Sequence, residues 1–284
     1  MNAFPLQILA FTCSASSPGI IEPAVSPISG PTHRTFWFLL TTTFMVFGIP
    51  EPASAADPGC TLQRTSYAGY TVWRDAEMLI FTSGMAVDAD GSPRAYHPDN
   101  STGLDDIHNA GSPGDWSALA TINGVPVVQG PNDDAPGYYV SMTSLEDDSV
   151  KGIVPSRFVD SEQVPYIALP PDLPGPRLGD LGLVVNVRNG RSSPVIFADH
   201  SPENRLGEGS IRLANALGIN PDPRHGGTNG GIVYIVFPNS GEKAPLPTDV
   251  IVQRVERLRQ KWLEMGELNA CIAGDGNSIM ARQR

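Results

Sequence analysis

Short apolar runs rich in Val, Ile and Tyr, each bounded by Gly, Pro, Asp or Asn, recur along most of the chain and predict strands. They fall at Tyr70 to Trp73, Met78 to Val87, Val125 to Gln129, Tyr138 to Thr143, Val164 to Leu169, Leu181 to Val187, Pro194 to Ala198 and Ile232 to Phe237. Between two of these runs stands Asn189-Gly190, whose residues tolerate the positive φ of a type I′ turn, so strands 181–187 and 194–198 are expected to pair. Helical spacing appears twice. Ile211, Leu213, Ala214 and Leu217 give one face of a helix over Gly209 to Leu217, with Gly218 as its stop. Thr248-Asp249 opens a second helix that places Ile251, Val255, Leu258 and Trp262 over a basic, solvated face. So many short strands need their edges managed, which predicts an α+β, mainly β domain on a closed or nearly closed barrel.

One run breaks this pattern. Phe36 to Ile49 is 14 residues of nearly unbroken apolar sequence, preceded by His33-Arg34 and followed by Ala53-Ser54-Ala55. That is the order of a secretory signal peptide with its cleavage site, and the run is short for a membrane span, which needs ~20 residues. Residues 1–55 are therefore read as an N-terminal extension plus leader, and 56–284 as one secreted domain. Cys60 and Cys271 are the two cysteines of the exported part; in an oxidising compartment they suggest one disulfide, with two separate thiols as the alternative. Neither has a CxxC or His neighbour of the kind a zinc site uses.

Charge narrows the partners. Lys+Arg 19 against Asp+Glu 30 gives a net charge of -11, which disfavours nucleic acid and anionic membranes and suits a cationic partner. Carboxylates are too many to identify a site by number, so position has to select them. In VIFADHSPENRLGEGSIRLANAL, residues 195–217, Asp199 ends an apolar strand and Glu208 stands between two glycines where a helix starts. Two carboxyl groups on the rim of a core can divide the work of a general acid and a general base. The bland alternative is an Asp that forms a turn and a Glu that favours a helix dipole.

The runs MAVDADGSPRAYHPDN (85–100), GLDDIHNAG (103–111), PVVQGPNDDAPGYYVSMTSL (126–145), FVDSEQVPYIALP (158–170), LGDLGLVVNVRNGRSS (178–193), VIFADHSPENRLGEGSIRLANALGI (195–219) and PRHGGTNGGIVYIVFP (223–238) together resemble the fungal-type chitosanases of glycoside hydrolase family 75. The resemblance implies a six-stranded, double-psi-like barrel and a secreted, monomeric enzyme without cofactor or metal. It also implies endo-cleavage of the β-1,4 bonds of chitosan or chito-oligosaccharides with inversion. The family's essential Asp and Glu fall on Asp199 and Glu208. Chitosan is a polycation when its amines are protonated, which would account for the acidic composition. Inversion requires carboxylates ~6.5–9.5 Å apart, and a nine-residue separation across a loop is compatible with that.

Roles within the pair stay open at this level. A helix N-terminus would hold Glu208 ionised, as a base, whereas its longer reach and higher reference pKa favour Glu208 as acid and Asp199 as base. Around the pair, Asp88 and Asp90 resemble the start of a calcium loop without its later ligands; they read as a tight turn or as grips for sugar amines. Tyr96, His97 and Tyr139 are candidates to stack on or bond to sugar rings, with core packing as the alternative. Asp180 precedes the strand next to Asp199 and could hold an amine, and His225 could orient a carboxylate from its Gly-rich loop. The pair Glu203 and Arg205 adds charge beside the candidate site. Two other functions remain: a protein that binds amino-sugar polymers without cutting them, and a hydrolase of another aminoglycan such as chitin or peptidoglycan.

Overall fold

The computed structural model describes residues 62–265, and the side chains up to residue 260. The leader, Cys60 and Cys271 lie outside the described residues, as does the side chain of Trp262. The described residues form twelve strands: β1 Gln63–Tyr67, β2 Tyr70–Arg74, β3 Leu79–Asp88, β4 Gly111–Ser112, β5 Asp115–Trp116, β6 Thr121–Ile122, β7 Val125–Pro126, β8 Tyr166–Leu169, β9 Leu181–Asn186, β10 Arg191–His200, β11 Glu208–Ser210 and β12 Thr228–Phe237. They are accompanied by helices α1 Ile211–Leu217 and α2 Thr248–Met265.

Six strands close into a barrel in the order β3-β11-β8-β10-β9-β12, with β12 returning to β3. The wall is mixed. β3 runs parallel to β11, and β8 parallel to β10, while the other four contacts are antiparallel. Closure leaves none of these six strands with an open edge, as the pattern of short strands predicted. The β1-β2 hairpin extends the wall outward from the first half of β3.

Both faces of the wall are buried, which explains why its strands read as continuous apolar runs rather than as alternating ones. Along β12, Ile232, Tyr234 and Val236 enter one apolar cluster while Val233, Ile235 and Phe237 enter another. Leu213, Ala214 and Leu217 of α1 complete the first, and Ile251 and Val255 of α2 complete the second. Ser210 caps α1 by accepting from the Leu213 amide at 3.1 Å, and its hydroxyl also joins β8 through Val164 and Tyr166. Among the described residues no helix is long and apolar enough to cross a membrane.

Three sequence expectations change. The run from Val125 to Gln129 is a strand only at Val125–Pro126, and Tyr138 to Thr143 makes only isolated bridges. Prolines 126, 131 and 136 interrupt any longer ladder here. β9 and β10 pair as expected, but the innermost partners are Asn186 and Arg191, so the turn is wider than two residues and only Gly190 takes a positive φ. Glu208, finally, is in a strand and not in the first turn of α1.

Residues 89–165 leave the barrel between β3 and β8 as a long, tightly tied excursion. Arg224 is its main anchor: the guanidinium donates to the backbone carbonyls of Asn100, Gly103, Leu104 and Asp105. Arg94 adds an ion pair with Glu162.

Glu208 depends on its neighbours having no side chains. A Cβ at Gly207, where φ is +104°, would lie 2.5 Å from Ser83 Oγ and 2.6 Å from the Gly84 carbonyl, and one at Gly209 would lie 2.7 Å from Leu213. We expect Gly207→Ala to cost more than ~2 kcal/mol in urea unfolding, against ~1 kcal/mol for Gly114→Ala, whose φ is also positive but which faces open space. Equal costs would mean that close packing at Gly207 does not hold this strand.

Candidate active site

Asp199 and Glu208 meet across a single strand. Ala168 of β8 is in register with Asp199 on one side and with Glu208 on the other. Two strand spacings of ~4.8 Å put their α-carbons roughly 9–10 Å apart, and partners in register project to the same face. On the Asp199 side this depends on a β-bulge. Phe197 pairs with Ile167 and Asp199 with Ala168, so Ala198 is an extra residue in β10. The bulge turns Asp199 toward the face where Glu208 stands, a use of bulges common beside active sites.

The two carboxyls sit in different surroundings. Asp199 is 6% exposed, and its Oδ1 accepts from the Ser144 amide at 2.9 Å, the Ser144 hydroxyl at 2.6 Å and the His200 amide at 2.7 Å. Burial raises its pKa to about 6, the largest effect, while the Ser144 and His200 donors pull it down. Glu208 has no comparable support: its Oε2 is buried without a hydrogen-bond partner among the described residues. Burial raises Glu208 to about 7, Arg205 opposes the rise, and the charges of Asp199 and Asp105 add to it.

A second pair of acids joins the first. Asp88, at the end of β3, is opposite Ser210 in the β3-β11 ladder and is buried, with Asp90 two residues further on. Oxygens of Asp88, Asp90 and Asp199 all lie within 4.8 Å of one another, close enough for each to raise the others' affinity for a proton or to reach one cation. Asp88 accepts from the Asp90 amide at 2.8 Å, and Asp90 accepts from the Tyr96 hydroxyl at 2.6 Å. Tyr166 Oη reaches the Asp90 carbonyl at 2.9 Å. Desolvation first, then the neighbouring carboxylates, push both Asp88 and Asp90 well above the ordinary range.

Several residues selected from the sequence take other roles. Tyr96 is buried and spends its hydroxyl on Asp90, so it braces the acids and offers no ring to a sugar. Buried Asp88 faces Asp199 instead of an amine at the surface. Tyr139 is partly buried against the first apolar cluster. His97 is partly exposed; its ring packs edge-on to Tyr138, and its Nδ1 accepts from the Asp99 amide. Asp180 caps turns, accepting from the amides of Arg177 at 2.8 Å and Gly241 at 3.3 Å, and does not present its carboxylate to an amine. His225 is exposed and pairs with Asp222 at 3.2 Å, so it orients neither Asp199 nor Glu208. Glu203 and Arg205 form no ion pair among the described residues.

Two residues escaped sequence reasoning. Ser144 is exposed and supplies two of the three donors to Asp199, but a serine in a polar run carries no signal of its own. Asp105 is 4% exposed and held by the Asn109 amide group at 2.9 and 3.1 Å and the Asp106 amide at 2.7 Å. Its signal was present in the Asp105-Asp106 pair of the 103–111 run.

These acids tie stability to pH. Their folded pKa values are raised, to about 6 for Asp199 and about 7 for Glu208, so above about pH 4 the folded state holds protons that the unfolded chain releases. The stabilisation is full below the unfolded values, and the share of Asp199 and Glu208 is lost as pH rises through about 6 and 7. Asp88→Asn, which keeps an acceptor for the Asp90 amide, should flatten the loss of stability as pH rises above the ordinary carboxylate range. Thermal melts at pH 5 and pH 8 read this; an unchanged slope would mean that Asp88 carries no excess proton in the folded state.

Compared with known proteins, the chain matches no family model and no curated protein sequence, so the reading of its chemistry rests on the site itself.

Proposed function

We propose that the protein is a secreted glycoside hydrolase that cleaves β-1,4 bonds within chitosan by an inverting mechanism, with Glu208 as general acid and Asp199 as general base. The observation that carries this reading is the unequal support of the two carboxyls. Among the described residues three donors converge on Asp199 Oδ1 and none serves Glu208 Oε2. Glu208 therefore keeps its proton to about pH 7 in a place that offers the proton no acceptor, which suits delivery to a glycosidic oxygen. Asp199 ionises at about 6, and its donors stabilise the carboxylate that activates water.

Spacing and charge agree with this division. Strands that hold the two α-carbons roughly 9–10 Å apart are compatible with carboxyls at the ~6.5–9.5 Å of an inverting pair. The net charge of -11 favours approach of a polycation. Secretion rests on the leader-like sequence of residues 36–55.

In the reaction, Glu208 gives its proton to the leaving oxygen as the C–O bond breaks, and Asp199 takes a proton from the attacking water. The step leaves Glu208 ionised and Asp199 protonated, with the water oxygen bonded to the anomeric carbon in the opposite configuration; Asp199 then releases a proton to solvent and Glu208 takes one up, which restores the enzyme.

Reducing-end release from chitosan and soluble chito-oligosaccharides tests the assignment. Glu208→Gln and Asp199→Asn should each lower kcat by ~10²–10⁴. For the parent protein, kcat/KM should rise through about pH 6 and fall through about pH 7. Near-parental turnover in either variant would remove that residue from the pair. Retention of chitosan without release of ends would mark a binding protein.

A further inference from the structure

Asp199 is held by one oxygen. Its Oδ1 takes all three of the donors described above, and Oδ2 accepts no hydrogen bond among the described residues. Two of the three donors come from Ser144, an exposed residue between two buried ones. The Thr143 hydroxyl donates to the Leu145 carbonyl at 2.8 Å and accepts from the Val159 amide at 3.0 Å. Leu145 packs in the second apolar cluster and donates its amide to the Ala198 carbonyl at 2.8 Å. Ala198 is the extra residue of the β10 bulge, so one three-residue segment both braces the bulge and holds the carboxylate that the bulge turns toward Glu208.

The Ser144 hydroxyl has a fixed direction. It accepts from the His200 amide at 3.2 Å and lies 2.6 Å from Asp199 Oδ1, an atom that can only accept while Asp199 is ionised. The hydroxyl proton therefore points at Oδ1. Among the described residues no cation pairs with Asp199. The titratable groups that face it are Asp88 and Asp90 at the end of β3, Glu208 on β11 and Tyr166 on β8, none of which carries positive charge. The adjoining His200 is pushed below its ordinary pKa by burial, which favours its neutral form. Hydrogen bonds alone thus support the carboxylate, and because all three fall on Oδ1, the more basic oxygen is Oδ2.

We infer that Ser144 is a positioning residue for the reaction: its hydroxyl pins Oδ1 of Asp199, so that Oδ2 is the oxygen that takes the proton of the attacking water. The terminal torsion of an Asp is soft, and without the hydroxyl only two amides remain to stop the carboxyl from turning. The inference rests on the hydrolase reading above and adds to it the reacting atom of the base and the residue that selects it.

Ser144→Ala keeps the backbone donor and removes only the hydroxyl, and Ser144→Thr restores a hydroxyl at the same place. In reducing-end release from chitosan, Ser144→Ala should lower kcat ~10-fold with KM changed by less than about 2-fold, and Ser144→Thr should recover most of the loss. Losing a donor weakens the carboxylate, so the acidic limb of kcat/KM, at about pH 6 in the parent, should move upward by about one pH unit in Ser144→Ala and stay in place in Ser144→Thr. Carbon NMR of the Asp199 carboxyl in the unliganded variants should show the same upward move, a readout that needs no substrate. Thermal melts that match the parent would establish that both variants fold. An Asp199 titration that stays at the parental pH in Ser144→Ala, or a Ser144→Thr variant as impaired as Ser144→Ala, would overturn the inference while leaving the hydrolase reading intact. No release of ends by the parent from any chitosan would instead overturn the hydrolase reading, and this inference with it.

Discussion

The costliest feature of this protein is a group of carboxyls buried at neighbouring strands of the barrel wall. Asp88 from β3, Glu208 from β11 and Asp199 from β10 lie around β8, with Asp90 just beyond the end of β3. An ionised carboxylate in such a setting needs donors or an opposite charge. Asp199 has its three donors, Asp90 has Tyr96, and Glu208 Oε2 has none. The cluster therefore holds protons at pH values where ordinary carboxylates have lost them, and that retention is the chemical resource of the site.

Much of the local architecture serves to keep these acids together. The bulge at Ala198 aims Asp199, the glycines at 207 and 209 let β11 pass between its neighbours, and Ser210 ties the start of α1 to β8. The excursion over residues 89–165 brings Asp90, Tyr96, Asp105 and Ser144 to the cluster, and Arg224 secures it through backbone carbonyls. Closure of the barrel makes the arrangement stiff: moving any one of β3, β11, β8 or β10 disturbs ladders on both of its sides.

The sequence made the long barrel strands legible because burial on both faces writes them as apolar runs, as in IVYIVF at residues 232–237. It did not reveal β11. Glu-Gly-Ser has no strand propensity, and register between β3 and β8 alone makes it a strand. β1 was missed for a related reason, since QRTSY is largely exposed and pairs only as a hairpin arm. In the site, Asp199 stood out at the end of an apolar strand and Glu208 between two glycines. The approach of Asp88 and Asp90 to Asp199 depends on strand order around a closed barrel, which no local pattern encodes. Likewise, the roles of Asp180 and His225 turned on hydrogen-bond partners, Arg177, Gly241 and Asp222, that spacing does not choose.

Site-resolved carbon NMR of the side-chain carboxyls, followed as a function of pH in the unliganded protein, addresses the central claim directly. The account predicts that Asp199 titrates at about 6 and Glu208 at about 7, with Asp88 and Asp90 also above the ordinary carboxylate range. Titration of Asp199 and Glu208 together near pH 4 would contradict it, because no proton would then be held at Glu208 for transfer near neutral pH.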